Sequence, residues 1–388
     1  MNIAGMSAAA LIGCAGSACA QSSVTLYGVV DASVEYSTHV GSVPAASNQF
    51  DPGVGKQVYR LNSGGLSGSR WGIRGIEDLG TGMKAMFVLE SGFGVDTGTL
   101  QQAGRLFGRQ AFVGLQKAGI GQFTLGRQYT SMLEALGNIA PAAYATQYEP
   151  VVLQSGANYR EDNTVKYTGQ FGPVTALAHW SFGAGVALPA SVGLSTPIGG
   201  NGEVPGQFRR DTAYGAAIAY AGKALGATLA YDQWNPTIGT GSGTARKAAV
   251  GVSYAFGDQA KVMGGYRWGQ NKSQTDAVIQ RDDFYWIGAN YQASPVVNLT
   301  VEYNYDNIRN LYGSTSVANP WQIALMGSYA FSRRTDAYLT AAYAKNAGLM
   351  MESLATFYAN SLALGNSYAL GKGQRTMLGL ALGVRHRF

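Results

Sequence analysis

Apolar and polar residues alternate along most of the chain with a period of two. Between Val24 and Tyr36 the even positions are apolar or small, whereas the odd positions include Asp31 and Glu35. Because successive side chains of a β-strand point to opposite faces, this pattern predicts a strand with one apolar and one polar face. The same alternation returns in later segments at 249–268, 297–306 and 323–343. The chain is therefore predicted to be all-β.

The connections between these strands alternate between short and long. Short ones are predicted near 80–82, 118–121, 221–224, 257–259, 293–295 and 332–334. Long ones are predicted at 39–57, 96–107, 129–162, 183–210, 235–244, 309–318 and 348–372. Aromatic residues cluster near both ends of the strands, as in barrels that cross two membrane interfaces. We therefore predict a transmembrane antiparallel β-barrel of about 16 strands, a size that leaves an aqueous channel.

The segment 129–162 is far longer than a hairpin loop, and loops of that length are usually functional or disordered. It is rich in apolar residues and is not of low complexity. The spacing Ser131-x-x-Glu134 matches a capping box and predicts a short helix that ends near Gly137. We predict that this loop folds into the lumen and narrows it.

Composition agrees with a wall that meets lipid on one side and water on the other. Of the 388 residues, 46% are hydrophobic and 13% are charged, against about 25% charged in typical soluble domains. A formal net charge of +6 over this length is mild. No Lys/Arg cluster of the kind found in nucleic-acid binders occurs, so no nucleic-acid partner is predicted.

Residues 1–20 have the pattern of a secretory signal peptide, with Ala18-Cys19-Ala20 at the cleavage position. The predicted division is a signal peptide at 1–20 and an outer-membrane barrel at 21–388. A lipoprotein box ending at Cys14 is the alternative. Cys14 and Cys19 are the two cysteines of the chain, so the barrel itself has no thiol for disulfide or metal chemistry.

Four stretches resemble the general (diffusion) porins of beta-proteobacterial outer membranes. They are LNSGGLSGSRWGIRGIEDLG at 61–80, QSSVTLYG at 21–28, FTLGRQ at 123–128 and GVRHRF at 383–388. The resemblance implies a trimer of 16-stranded barrels in the Gram-negative outer membrane, each with its third outer loop in the lumen. It also implies passive diffusion of ions and small hydrophilic solutes. The implied partners are outer-membrane lipid, lipopolysaccharide and the barrel insertion machinery.

Porins of this kind carry a basic cluster on the wall that faces the inward loop, and the resemblance places it at Arg70, Arg109 and Arg160. Independently, Arg70 and Arg74 have the parity opposite to Trp71 and Ile73. Both arginines are therefore predicted to point into the lumen, because arginine facing lipid costs a few kcal/mol near the midplane.

Two roles are open for the arginines of this region. They either guide ions or anchor the inward loop through Glu134, Glu149 or backbone carbonyls. Ion guidance is favoured for Arg70 and Arg109, and for Arg127 and Arg160 neither role is favoured. Glu134 is interpreted as a helix cap, and Glu161 and Asp162 lie at the exit of the loop. Few acids are therefore left to oppose the arginines in the lumen, and Glu149 is the one that remains. We therefore predict a weak preference for anions.

Two other functions stay open: a substrate-specific outer-membrane channel, and a scaffold whose long outer loops act in binding or adhesion. Catalysis is not predicted, because His39, His179 and His386 have no serine or carboxylate at a spacing that suggests a triad or a metal site. No enzyme activity, cofactor or metal is predicted. Phe388, in the lipid-facing register of the last strand, is predicted to be an assembly signal.

Overall fold

A computed structural model describes residues 23–188, 198–353 and 368–388. These residues form an antiparallel sheet of sixteen barrel strands in chain order. We call each barrel strand a stave, including one that consists of two segments. The predicted signal peptide lies outside the described residues. The first eight staves are β1 (Ser23–Val40), β2 (Lys56–Ser63 and Arg70–Gly80), β3 (Met83–Gly92), β4 (Gln110–Lys117), β5 (Gly121–Tyr129), β6 (Arg160–Phe171), β7 (Val174–Ser181) and β8 (Ala213–Ala221). The others are β9 (Leu225–Trp234), β10 (Thr244–Phe256), β11 (Ala260–Lys272), β12 (Val278–Ser294), β13 (Val297–Leu311), β14 (Trp321–Ala330), β15 (Thr335–Lys345) and β16 (Thr376–Arg387).

Strand β2 counts as one stave although it has two segments, because both segments pair with β1. Its break at 64–69 turns around Asp31 on the inner face of β1. The backbone amides of Gly65 and Ser67 donate to the Asp31 carboxylate at 3.0 and 2.8 Å. The Tyr338 hydroxyl of β15 donates to the same carboxylate. A buried acid therefore holds the break inside the wall.

The sheet closes on itself between β1 and β16. Their register pairs Ala32 with Val384, and Gly28 and Phe388 exchange backbone hydrogen bonds of 3.1 Å in both directions. Closure leaves no strand edge in lipid, where an unpaired backbone group has no water to bond. The predicted all-β barrel of about 16 strands is confirmed.

The two faces of the wall differ as the alternation predicts. Val34 and Leu382 are 62% and 63% exposed on the outer face, whereas Asp31 and Glu35 on the inner face of β1 have no exposed surface. Glu35 accepts hydrogen bonds from Arg60, Tyr148 and Tyr368. The apolar side of each strand thus meets lipid, and the polar side is satisfied within the barrel.

Short turns gather at one end of the barrel and long loops at the other, and the six predicted short turns are present. The sequence patterns did not predict two further connections. One is the tight turn at 172–173 between β6 and β7, and the other is 273–277, a short link at the long-loop end between β11 and β12.

The remaining elements belong to the loops. The α-helical segments are Gln101–Gly104, Ser131–Leu136 and Val151–Ser155, and the 3-10 segments are Ala46–Asn48, Gly137–Ile139 and Leu349–Met351. A small outer sheet is formed by Ala187–Leu188, Ile198–Gly199, Thr237–Ile238 and Gly241–Ser242. Within the described ranges, none of the helices is long and apolar enough to cross a membrane.

Candidate pore constriction

The loop between β5 and β6, residues 130–159, crosses the interior of the barrel; we call it the inward loop. Thr228 of β9 donates to the carbonyl of Ala135 at 3.0 Å. Trp286 Nε1 of β12 donates to the carbonyl of Ile139 at 3.0 Å. These wall side chains are buried and alternate with lipid-exposed neighbours, so the loop lies on the inner face.

The far end of the inward loop reaches the seam of the barrel. Tyr148 donates its hydroxyl to Glu35 Oε1 on β1 at 2.6 Å, and Gln322 of β14 donates to the Tyr148 carbonyl. The wall has a glycine, Gly251, where the loop packs against it. A Cβ at this position would lie 2.7 Å from Ile139 Cγ2, so the missing side chain makes room for the loop. The loop is thus docked to several staves and is not a free lid.

The helix of the inward loop begins one residue earlier than its predicted capping box. Thr130 is the N-cap, and its hydroxyl accepts from the Leu133 amide at 3.3 Å. The helix ends at Leu136, with Gly137 as C-cap, as predicted. Glu134 is not a cap, because its carboxylate forms an ion pair with Lys166 of β6. The capping-box interpretation of Ser131 and Glu134 is therefore wrong.

A cavity of about 340 Å³ lies between the inward loop and the wall; we call it the constriction cavity. Its charged lining residues are Arg70, Arg109, Arg160 and Glu134. A second cavity of about 390 Å³ shares Leu66, Ser67 and Ala143 with it. Asn290, Asn298, Thr300 and Arg385 line the second cavity. The two cavities therefore adjoin each other beside the inward loop.

Arg70 and Arg109 share one carboxylate, that of Glu90 on β3. Arg109 Nε lies 2.7 Å from Glu90 Oε1, and Arg70 Nε lies 3.6 Å from Oε2. Tyr27 donates its hydroxyl to the same Oε2 at 3.0 Å. Glu90 is 4% exposed, whereas the Arg70 side chain is 26% exposed. Glu90 therefore holds the two guanidinium groups from the side away from the cavity, and Arg70 faces the cavity.

Arg160 is held by aromatic rings and makes no ion pair with a carboxylate in the described part of the chain. Its guanidinium carbon lies 4.9 Å from the ring centre of Tyr129 and 4.8 Å from that of Tyr159, a spacing typical of cation–π contacts. The Tyr129 hydroxyl accepts hydrogen bonds from Arg109 at 3.1 Å and Arg160 at 3.4 Å. Tyr129 therefore links the two arginines.

Two predicted pore arginines lie elsewhere. Arg74 is on the inner face beside the ring of Tyr27, but it stands four residues along β2 from Arg70, about 13 Å at the usual strand rise, and does not line the constriction cavity. Arg127 is opposite Ala111, on the outward face of the wall. Its guanidinium donates to Asp162 at 2.6 Å and to the Gly108 carbonyl at 2.7 Å. Arg127 is an anchor and not a pore-lining residue.

Glu149 does not oppose the arginines either. It is fully buried, accepts the Ala145 amide at 2.9 Å, and lies toward Glu302 of β13. Burial, and then the charge of Glu302, hold the pKa of Glu149 well above its usual range. The prediction that Glu149 is a lumen acid facing Arg70 and Arg109 is wrong.

Glu90, Tyr129 and Lys166 complete the site and were missed by sequence reasoning. Glu90 and Lys166 are charged residues at inner-face positions of predicted strands, and that signal was available. The role of Tyr129 depends on how the chain turns into the inward loop, which residue spacing does not reveal.

The expectation that His179 lacks a serine or carboxylate neighbour is wrong. Ser131 Oγ lies 2.9 Å from His179 Nδ1, and Glu161 and Asp232 approach Nε2. The group is buried behind the inward loop, out of reach of a substrate.

Comparison with known proteins agrees with this barrel. Residues 7–349 match the Gram-negative porin family, and the chain belongs to that family. It is similar to an outer membrane porin protein of Bordetella pertussis, at 29% identity over 99% of both chains. Outer membrane porin protein 32 of Delftia acidovorans is 27% identical over 98% of both.

Solved structures show the same fold. The anion-selective porin from Comamonas acidovorans superposes with a TM-score of 0.73 at 24% identity, covering 95% of this chain and all of that one. OmpT of Vibrio cholerae superposes with a TM-score of 0.65 at 13% identity, covering 95% and 98%. The protein is an integral outer-membrane porin for passive diffusion and not an enzyme, which confirms the predicted family, location and general function.

Proposed function

We propose that the constriction cavity gives this general diffusion pore a weak preference for anions. The observation that carries the proposal is the set of three guanidinium groups, Arg70, Arg109 and Arg160, at one cavity. In the described residues, Glu90 is the one carboxylate that forms ion pairs with them. Glu134 adds no free negative charge, because it is paired with Lys166.

The preference for anions over cations follows from elementary electrostatics. Charges that line a narrow aqueous passage with low-dielectric walls focus the field and enrich counter-ions. Arginine and lysine walls select anions for this reason. The similar porin from Comamonas acidovorans is described as anion-selective, which supports the proposal.

The test is the zero-current potential of single channels in a KCl gradient. Neutralising two wall arginines together, Arg70→Gln with Arg109→Gln, should move that potential toward cation preference without closing the pore. Arg246→Gln on the outward face of β10 is the matched control and should leave it unchanged. The wild-type preference should also weaken in concentrated salt, because the Debye length is about 3 Å at 1 M. An unchanged potential in the double variant would show that these arginines only hold the loop.

A substrate-specific channel is the second candidate. Tyr129, Tyr144 and Tyr159 line the same cavity as the arginines, and such rings can stack on flat organic solutes. Adding a candidate solute would then block the ion current at concentrations that leave a purely diffusive pore unaffected.

The assembly is proposed to be a homotrimer in contact with outer-membrane lipid and lipopolysaccharide and inserted by the barrel insertion machinery. One similar solved structure, OmpT of Vibrio cholerae, is described in a trimer form. The continuous apolar outer face of this barrel is compatible with both lipid and subunit contacts. Native mass spectrometry of the detergent-extracted protein would measure the stoichiometry.

A further inference from the structure

A sealed cluster of three ligand-type side chains lies in the wall behind the helix of the inward loop. Glu161 is on β6, His179 on β7 and Asp232 on β9, and one ligand atom from each lies within 4.8 Å of the other two. His179 Nε2 lies 3.2 Å from Glu161 Oε2 and 3.5 Å from Asp232 Oδ2. The three side chains are at most 2% exposed.

The converging atoms lack hydrogen-bond partners. Glu161 Oε2, His179 Nε2 and Asp232 Oδ2 are all buried without a hydrogen bond of acceptable geometry. Buried polar groups are normally satisfied. In the described ranges neither carboxylate forms an ion pair with Lys or Arg. Lys247 lies opposite Asp232 in the strand register, but it does not come within ion-pair distance of the carboxylate. Two buried carboxylates that converge on one nitrogen call for a cation among them.

The surrounding residues hold the three atoms in place. Asn158 Nδ2 donates to Glu161 Oε1 at 2.8 Å and to Asp232 Oδ1 at 2.7 Å, which leaves the second oxygen of each carboxylate turned toward His179. Gly215 of β8 sits between His179 and Asp232 in register. A Cβ there would lie 2.6 Å from His179 Cε1 and 3.0 Å from Asp232 Oδ2. The glycine thus opens the space that the cluster occupies.

The spacing fits a small transition-metal ion. Zinc binds histidine nitrogen and carboxylate oxygen at about 2.0–2.2 Å, so tetrahedral ligand atoms lie about 3.3–3.6 Å apart. The distance from Nε2 to Asp232 is 3.5 Å, within this range, and that to Glu161 is 3.2 Å, just below it. All three ligand atoms lie within 4.8 Å of one another. An imidazole with two carboxylates suits Zn²⁺ better than Mg²⁺ or Ca²⁺, which prefer oxygen ligands alone.

We propose that Glu161, His179 and Asp232 bind a divalent transition-metal ion, Zn²⁺ above all, with water as the fourth ligand. Binding through Nε2 requires the imidazole proton on Nδ1, where Ser131 Oγ at 2.9 Å accepts it. The Ser131 amide also lies 3.2 Å from Nδ1, so without metal Nδ1 is the acceptor and Nε2 carries the proton. Metal binding would therefore replace the proton on Nε2 and place one on Nδ1, which then donates to Ser131 Oγ and no longer accepts from the Ser131 amide. The ion would fasten the start and the exit of the inward loop to three staves.

The test uses the full-length protein refolded in detergent with Co²⁺ or Zn²⁺, because a sealed site must be loaded during folding. Wild type should bind one metal per chain after excess metal is removed, and Co²⁺ should show the strong visible absorption of a tetrahedral site. His179→Gln and Asp232→Asn should lose both signals. His386→Gln, which removes an exposed histidine of β16, is the matched control and should retain them.

Two results would overturn the proposal. One is wild type that refolds in the presence of Co²⁺ without binding it, which would mean that a protonated imidazole alone balances the carboxylates. The other is stoichiometric binding that survives His179→Gln or vanishes in His386→Gln. If His179→Gln does not fold, Glu161→Gln, which keeps the shape and the Asn158 contact atom, provides the same comparison.

Discussion

At the scale of single residues, the proposed anion preference rests on arginines that share one buried carboxylate. Glu90 is buried and bonds both Arg70 and Arg109. A buried carboxylate so placed has two opposing effects: it orders the guanidinium groups and cancels part of their charge.

The first prediction concerns that carboxylate. Glu90→Gln should shift the zero-current potential further toward anion preference, because it removes the one negative charge paired with the arginines while an amide can still accept a hydrogen bond. Glu77→Gln, near the short-turn end of β2, should leave the potential unchanged. A shift of the Glu90 variant toward cations would mean that Glu90 acts mainly by positioning Arg109.

The second prediction concerns the pH dependence caused by Glu149. Burial, and then Glu302, raise the pKa of Glu149, whose carboxylate otherwise accepts backbone amides of the inward loop. Because the folded protein binds this proton more tightly than the unfolded chain, the protonated carboxyl favours folding. That contribution is present below the ordinary glutamate pKa of about 4.3 and is lost as the pH rises toward the raised value.

The melting temperature of wild type should therefore fall as the pH is raised from mildly acidic to neutral, and Glu149→Gln should flatten that slope. Asp258→Asn, at an exposed short turn, is the control and should keep the wild-type slope. Parallel slopes for wild type and Glu149→Gln would contradict the assignment.

At the scale of elements, the inward loop is held by wall positions that have no side chain. Gly251 of β10 accommodates Ile139, and a Cβ at this position would meet Ile139 Cγ2 at 2.7 Å. The docking of the loop is thus encoded as much in the strands as in the loop.

The third prediction follows from that contact. Gly251→Ala should displace the Gly137–Ile139 turn and destabilise the docked loop by about 1–3 kcal/mol, the usual cost of overpacking a close contact. The expected signs are greater open-channel current noise and faster proteolysis within the loop. Gly327→Ala is the matched control, because its Cβ would meet Leu299 at an ordinary 3.5 Å. Equal noise in both variants would exclude the contact as the cause.

Strand alternation was predictable because lipid imposes it on every residue of the wall. Val34 and Glu35 could be assigned to opposite faces from their parity alone. The depth of Arg74 in the pore was not predictable, since it depends on the register between strands and not on parity. His179, Glu161 and Asp232 come from three separate strands, and only the folded sheet brings them around Gly215. Arg127 has the same outward parity as Phe123 and Leu125, so the strand alternation already argued against a place in the lumen. The position of Glu149 depends on how the inward loop turns, which residue spacing does not reveal.

At the scale of the whole molecule, the barrel is completed by Phe388, which bonds Gly28 through its backbone and lies on the lipid-facing side. The fourth prediction separates its two possible roles. Phe388→Leu keeps the backbone pairing, so refolding in detergent should proceed as in wild type. In cells the folded, heat-modifiable fraction should fall, because the proposed recognition by the insertion machinery needs the aromatic ring. Deletion of Phe388 should lower the cellular fraction at least as much. Equal loss in both settings would assign Phe388 to the interfacial belt alone.

The seam between β1 and β16 also has a consequence for the order of events during biogenesis. Each stave from β2 to β15 pairs with neighbours close in sequence, but Ala32 meets Val384 across almost the entire chain. Long-range pairing of this kind is slow to form. Until β16 arrives, β1 offers an open strand edge, and such edges recruit other chains into aggregates. The unfolded chain is therefore most prone to aggregation while it crosses the periplasm. Holdase chaperones should protect its first strand above all.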